Sequence, residues 1–214
     1  IVSPLTPGGY NIQCYGECNG KIYSNVTGGC PPYTFTWTPN VSSTDSAVGL
    51  CAGAYMLTVT DVNGCEFTDT MTVTQPDTVL ALITVVILNQ GNPVSCFGVC
   101  DGTAFVTASG GSQPYSYAWT YPPLSVPTYS PAGDTIHAVC AGPISVIVSD
   151  TNGCSASDAN SITEPPLLTA DVILGTYNGG WNVSCNGVCD GIAGVIPSGG
   201  TPPYSYLWCD GQTT

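Results

Sequence analysis

The stretch that decides the fold is Leu50 to Pro76, LCAGAYMLTVTDVNGCEFTDTMTVTQP. Tyr55, Leu57 and Val59 alternate with Met56, Thr58 and Thr60, while Phe67, Met71 and Val73 face away from Thr68, Thr70, Thr72 and Thr74. A side-chain period of two means that each segment reads as a half-buried β-strand. Between them, Asp61-Val62-Asn63-Gly64 supplies residues that tolerate positive φ, so the two strands close into a hairpin. The same string returns at Val139 to Pro165, VCAGPISVIVSDTNGCSASDANSITEP, with its turn at Asp150-Thr151-Asn152-Gly153.

Working outward from the hairpin, the whole chain is a repeat. QCYGECNG at 13–20, SCFGVCDG at 95–102 and SCNGVCDG at 184–191 are followed at constant distance by TGGCPPYTFTW, SGGSQPYSYAW and SGGTPPYSYLW. Trp37 and Trp119 are 82 residues apart and Trp119 and Trp208 are 89 apart, the extra seven falling between Trp119 and Cys140. Closing prolines at Pro76 and Pro165 divide the chain into copies 1–76, 77–165 and 166–214. The first copy lacks about six leading residues by this register, and the third holds only the N-terminal half of the unit. An unfinished sandwich leaves an edge and a face uncovered, so the reading is an excerpt of a longer array or a subunit completed by a neighbour. Six or seven short strands per copy, with Gly/Pro/Asn turns and no helix-period segment, point to an all-β fold of tandem immunoglobulin-like β-sandwich repeats. DTVLALITVVIL at 77–88 and PLLTADVIL at 166–174 also read as strands, so the copies are joined closely and stiffly.

Composition excludes several classes of function. The 214 residues hold Lys+Arg 1 against Asp+Glu 14, a net charge of −13, and the single cation is Lys21. Such a chain cannot hold phosphate electrostatically, which argues against nucleic-acid binding, acidic-membrane binding and phosphoryl chemistry. Charged residues make up 7%, so the surface is built from Ser, Thr, Gly, Asn and Tyr, and the 43% apolar content supports a packed core. The longest apolar run, Val79 to Leu88 with Thr84 inside it, is about half the length of a membrane-spanning helix. Twelve cysteines in this context indicate an oxidising, extracellular compartment.

The motifs SCNGVCDG, SGGTPPYSYLW, LCAG, the Asp-x-Asn-Gly-Cys turn and ITEP together resemble the SprB-type repeat of Bacteroidota cell-surface proteins, best known from a gliding-motility adhesin. The resemblance covers nearly the whole chain. It implies extracellular tandem repeats exported to the cell surface as adhesins or surface filaments. Cys30, where the other copies have Ser112 and Thr201, and Cys209, where they have Thr38 and Thr120, depart from the pattern.

Four cysteines per complete copy could bind zinc, but two of them stand 14 residues apart rather than in a tight pair, and disulfide staples are the expectation. Cys140 and Cys154 are separated by a strand spanning about 20 Å, beyond the roughly 7 Å Cα limit of a disulfide. Each must then reach the Cys96/Cys100 segment. The resemblance favours Cys96 with Cys154 and Cys100 with Cys140, and likewise Cys14 with Cys65 and Cys18 with Cys51; the opposite crossing stays open. Cys185 and Cys189 are expected to have no partners within this chain, which makes them candidate interchain or inter-repeat cysteines. Cys30 and Cys209 are left over, either joining adjacent chains or remaining unpaired or locally paired.

The alternating rings Tyr33/Phe35/Trp37, Tyr115/Tyr117/Trp119 and Tyr204/Tyr206/Trp208 form a row on one strand face. A row of rings can stack carbohydrate, the basis of an alternative reading as a glycan-binding adhesin module, but a sandwich equally needs a buried Trp on a central strand. Asp-(Ser/Thr)-apolar tripeptides, which resemble the O-glycan acceptor of that phylum, place candidate covalent glycans on Ser46, Thr70, Thr78 and Thr135; sequons at Asn25, Asn40 and Asn182 are weaker signals. Catalysis finds little to work with: His137 is the only histidine, Val48 replaces it in the first copy, and Glu occurs three times. Asp61 with Asn63 and Asp150 with Asn152 fall short of a calcium ligand set. The sequence therefore reads as a non-enzymatic extracellular structural repeat without cofactor or metal, self-assembling into a stiff filament or continuing as an adhesin stalk.

Overall fold

A computed structural model describes residues 1–88, 91–121, 133–209 and 211–213. The seven-residue insertion between Trp119 and Cys140 falls in a stretch that includes 122–132, outside the described residues. The elements are all strands: β1 Gly20–Tyr23, β2 Thr34–Thr38, β3 Ser46–Leu50, β4 Gly53–Thr60, β5 Glu66–Val73, β6 Leu80–Val85, β7 Gly102–Ser109, β8 Ser116–Thr120, β9 Thr135–Val139, β10 Gly142–Ser149, β11 Ser155–Ile162, β12 Thr169–Leu174 and β13 Ala193–Ser198.

The middle unit shows the architecture in full. β6-β7-β9 form one antiparallel sheet and β8-β10-β11 another. In immunoglobulin terms these are sheets A-B-E and C-F-G, with Trp119 on the C strand. Alternation along β10 sends Ile144, Val146 and Val148 into a core shared with Val79, Ile83, Ala104, Val106, Ile136, Val139 and Ile162. Each such aliphatic side chain contributes about 1.5–3 kcal/mol on burial. The first unit repeats the plan, with β1-β3 over β2-β4-β5 around Ile12, Ile22, Trp37, Leu50, Tyr55, Leu57 and Val73. Its A-type position holds only the start of the chain, where Val2 bridges Tyr23. In the third unit β12 pairs with β13, and Val172, Ile173, Leu174 and Ile196 are exposed.

Each sandwich has two poles. At the tail pole lie the Cys-x3-Cys loop and the turn leading into the F strand, where Cys18 bonds Cys51 and Cys100 bonds Cys140. At the head pole lie the F–G hairpin turn and the Gly-Gly turn before the C strand. Two of the expected disulfide pairs are corrected. Cys14 bonds Cys154, joining the first unit to the second, while Cys65 and Cys96 are exposed thiols. The reason is distance: the eight-residue strand β10 holds Cys154 about 25 Å from the pole where Cys96 sits. A Cys96–Cys154 bond would have to span the sandwich, and so would Cys14–Cys65 in the first unit. The head-pole cysteine instead meets the tail of the preceding unit.

Candidate functional site

The joint between the first two units is where the described polar groups converge. The tail loop of the first unit is held to its own sandwich by Asn11 and Ile12 N–H bonds to the Thr74 carbonyl, at 3.1 and 3.0 Å, and by the Asn11 carboxamide accepting from Thr74 N–H at 2.8 Å. The Gly16 N–H donates to Gln75 Oε1 at 3.0 Å, and Gly98 N–H donates to Glu164 Oε2 at 2.7 Å in the second unit. Asn19, Asp101 and Asp190 close the Cys-x3-Cys loops by accepting from Gln13, Ser95 and Ser184 N–H. Hydrogen bonds from Ser95 and Ser184 hold the Asp101 and Asp190 carboxyls below the usual carboxylate range.

The head of the second unit receives this loop. Asp150, closing the hairpin turn, accepts from Asn152 N–H at 2.9 Å, Cys154 N–H at 2.8 Å and Ser112 N–H at 2.8 Å. Gln13 Nε2 donates to the Asn152 carbonyl at 2.7 Å, and Asn152 Nδ2 donates back to the Gln13 carbonyl at 3.1 Å. Gly8 packs on Ser112 so closely that a Cβ there would fall on the serine hydroxyl. Ser112, Asp150 and Asn152 are 5%, 6% and 8% exposed, and they are the buried polar residues among those described. A buried polar group needs its bonds satisfied, and here part of that satisfaction comes from the neighbouring unit. The connector adds a third link, because Pro76 is buried, the Asp77 carbonyl accepts from Gly111 N–H at 2.9 Å, and the chain enters β6 at Leu80.

Five of the six triplet rings of the first two units face inward. Trp37 is buried, and Phe35, Tyr115, Tyr117 and Trp119 pack against the cores. Trp37 Nε1 donates to the Thr44 carbonyl at 2.9 Å, and Trp119 Nε1 to the Gly133 carbonyl at 3.1 Å. Tyr33, Tyr115 and Tyr204 each donate their hydroxyl to the carbonyl five residues back, of Gly28, Gly110 and Gly199. Of the candidate glycan acceptors, Thr70 and Thr78 are exposed, while Ser46 and Thr135 are half-buried first residues of β3 and β9 rather than loop residues. His137, on β9, hydrogen-bonds Thr103 at 3.2 Å. Cys30 and Cys209 are exposed, as are Cys185 and Cys189. No group of three or more His, Cys, Asp or Glu able to hold a metal occurs among the described residues, and no helix among them is long and apolar enough to cross a membrane.

The family comparison follows the motif spacing that sets out these tail, head and core elements. The pattern of the family described as SprB repeat matches residues 10–42, 89–122 and 182–213. Three stretches of the chain match the SprB repeat. Each match holds a Cys-x3-Cys loop, the Gly-Gly turn and the aromatic C strand or its start, which are the tail, head and core elements described above. The family points to a cell-surface repeat protein of adhesin or gliding type. No curated protein matches the chain. Among solved structures, the amphioxus IgVJ-C2 molecule is similar over 70% of this chain and 99% of its own, at 10% identity and a TM-score of 0.34, too distant to carry an argument.

Sequence reasoning missed Gln13, Ser112 and Asn152 as joint residues. The signal was present in the strand-length argument that separates Cys140 from Cys154, since it equally separates Cys154 from Cys96.

Proposed function

We propose that these SprB repeats form a non-enzymatic extracellular structural element, a stiff filament or adhesin stalk on the surface of a Bacteroidota cell. The repeats run 1–76, 77–165 and 166–214, and the device that joins the first to the second would recur along a longer array. The observation that carries this reading is the locked joint: a disulfide, a reciprocal amide pair and a short connector fix two sandwiches together. Three links at separated points resist bending in a way that a single peptide linker cannot. The aromatic rows of the first two units favour this reading over a glycan-binding module, because five of their six rings are packed against the cores. Covalent glycan on exposed Thr70 and Thr78 would hydrate a surface poor in charge. Cryo-EM of unreduced native material tests the proposal. Straight fibres or rods with a regular axial repeat support it, and freely jointed beads that bend at every unit refute it.

A further inference from the structure

The heads of the first and second units are built alike and covered differently. Cys30 N–H donates to Asp61 Oδ2 at 3.1 Å and Val62 N–H to the Cys30 carbonyl at 3.1 Å, matching Ser112 with Asp150 at 2.8 Å and Thr151 with Ser112 at 2.9 Å. In the second unit this frame is buried under the tail loop and connector of the first. In the first unit Asn63 and Cys65 are exposed, and a groove of about 420 Å³ opens beside them, lined by Gly28, Tyr33, Val59, Phe67 and Asp69 among others. Phe67 lies on the core side of β5 yet is 71% exposed.

The groove has the shape of a strand. In the second unit β6 fills the corresponding place, with Ile83 N–H donating to Asp158 Oδ2 at 2.7 Å and Thr84 paired with Phe105. In the first unit Asp69 accepts from the Ile1 amino group at 3.0 Å and Val2 bridges Tyr23, so Ile1 and Val2 hold the positions of Ile83 and Thr84, 82 residues on. Beyond Tyr23 the edge is unpaired: β1 ends there, whereas β7 continues to Ser109 against β6. Gly28 gives a second, independent sign. Gly110 and Gly199, its counterparts, have φ +74° and +72°, and a Cβ on either would strike the carbonyl of the passing connector, at Thr78 or Leu167. Gly28 has φ +84° and nothing within 4 Å. Its backbone is shaped for a close approach that no described residue makes.

We infer that the head of the first unit docks the tail of another copy of this repeat. The incoming connector, equivalent to Asp77–Leu82, lies in the groove as an added edge strand, and the incoming first cysteine, at the Cys14 position, bonds Cys65. The occupant is argued from the interface already present: the same surface, one unit along, holds that segment and that cysteine. Cys96 is correspondingly the cysteine offered to the head of a following unit. Bond formation is an exchange with a small-molecule disulfide. Two protein thiols become one protein disulfide, and the two electrons and two protons pass to the small molecule, which leaves as two thiols. The inference rests on the array reading proposed above, but its test does not, since a mapped bond is scored whether or not fibres are seen.

The test places residues 1–82 ahead of Ile1, which keeps the 82-residue register and adds one complete tail. The added copy carries Tyr15→Phe as a mass label and Cys65→Ser. After oxidation in a glutathione redox buffer and proteolysis without reduction, the labelled Cys14 peptide is expected linked to Cys65, with the original Cys14–Cys154 bond retained. Amide exchange at 25–27 is expected to slow by about tenfold or more relative to the unextended chain. Recovery of Cys65 as a thiol, or linked to the unlabelled Cys14 of its own copy, overturns the inference. A second arm needs no extended chain: a synthetic peptide of residues 76–82, which stops short of the positions held by Ile1 and Val2, added to the 214-residue chain should slow exchange at 25–27, and unchanged exchange overturns the docking.

Discussion

At Gly28 and Gly110 the same residue in the same left-handed turn meets two different surroundings. Alanine at Gly28 faces only the backbone penalty of positive φ, about 1 kcal/mol. Alanine at Gly110 adds a collision with the Thr78 carbonyl, for a total of about 3 kcal/mol. Denaturant titration of the two variants measures this contrast, and equal losses would contradict the description of the head. Asp150→Ala strips the acceptor from three buried N–H groups, and a loss of about 2 kcal/mol is expected from the same measurement. Acid provides a further residue-level check. Hydrogen bonds from Cys65 and then Cys30 hold the Asp61 carboxyl below the ordinary aspartate value of 3.8, and Asp101 and Asp190 are lowered by bonds from Ser95 and Ser184. Their contribution is present above that value and is lost as pH falls through the lower folded values. The melting temperature should therefore be level near neutrality and drop below about pH 4, with Asp61→Asn and Asp101→Asn flattening the drop; a melting temperature that holds in acid contradicts the assignment.

At the scale of the element, the hairpins were legible because one face of each strand is buried, so the period of two is enforced by the core. Ile144, Val146 and Val148 show it directly. The aromatic rows were legible for the same reason, although a row of rings alone cannot say which side of the sheet it faces. The disulfide pairing was harder to read. Cysteines four residues apart, such as Cys14 and Cys18, leave a tail pole in opposite directions, one toward the next sandwich and one into its own, and spacing within a copy carries no sign of that. β6 and β12 were legible as strands within the second and third copies, but their pairing with β7 and β13 was not, since those partners lie beyond the Cys-x3-Cys loop. The two kinds of disulfide should behave differently. Replacing Cys100 and Cys140 by Ser opens a loop with a sequence separation of 40 and should destabilise the second unit by about 4 kcal/mol. Replacing Cys14 and Cys154 should leave both sandwiches folded and broaden the angle between them. Small-angle scattering and near-ultraviolet circular dichroism separate these outcomes; loss of folded signal in the second pair of variants would contradict the joint as described.

For the whole molecule, a small core and a surface with little charge are offset by covalent links along the chain axis. Because the head of the second unit meets the tail of the first, the stiffness proposed for the array would belong to the joint rather than to a single sandwich, and the bond between units would carry it. Disulfide mapping of the unreduced 214-residue chain by proteolysis and mass spectrometry is the most direct measurement. The account predicts one linked pair of peptides containing Cys14 and Cys154. Cys14 linked to Cys65, with Cys154 linked to Cys96, would contradict it and return the repeats to separately stapled units on a flexible string.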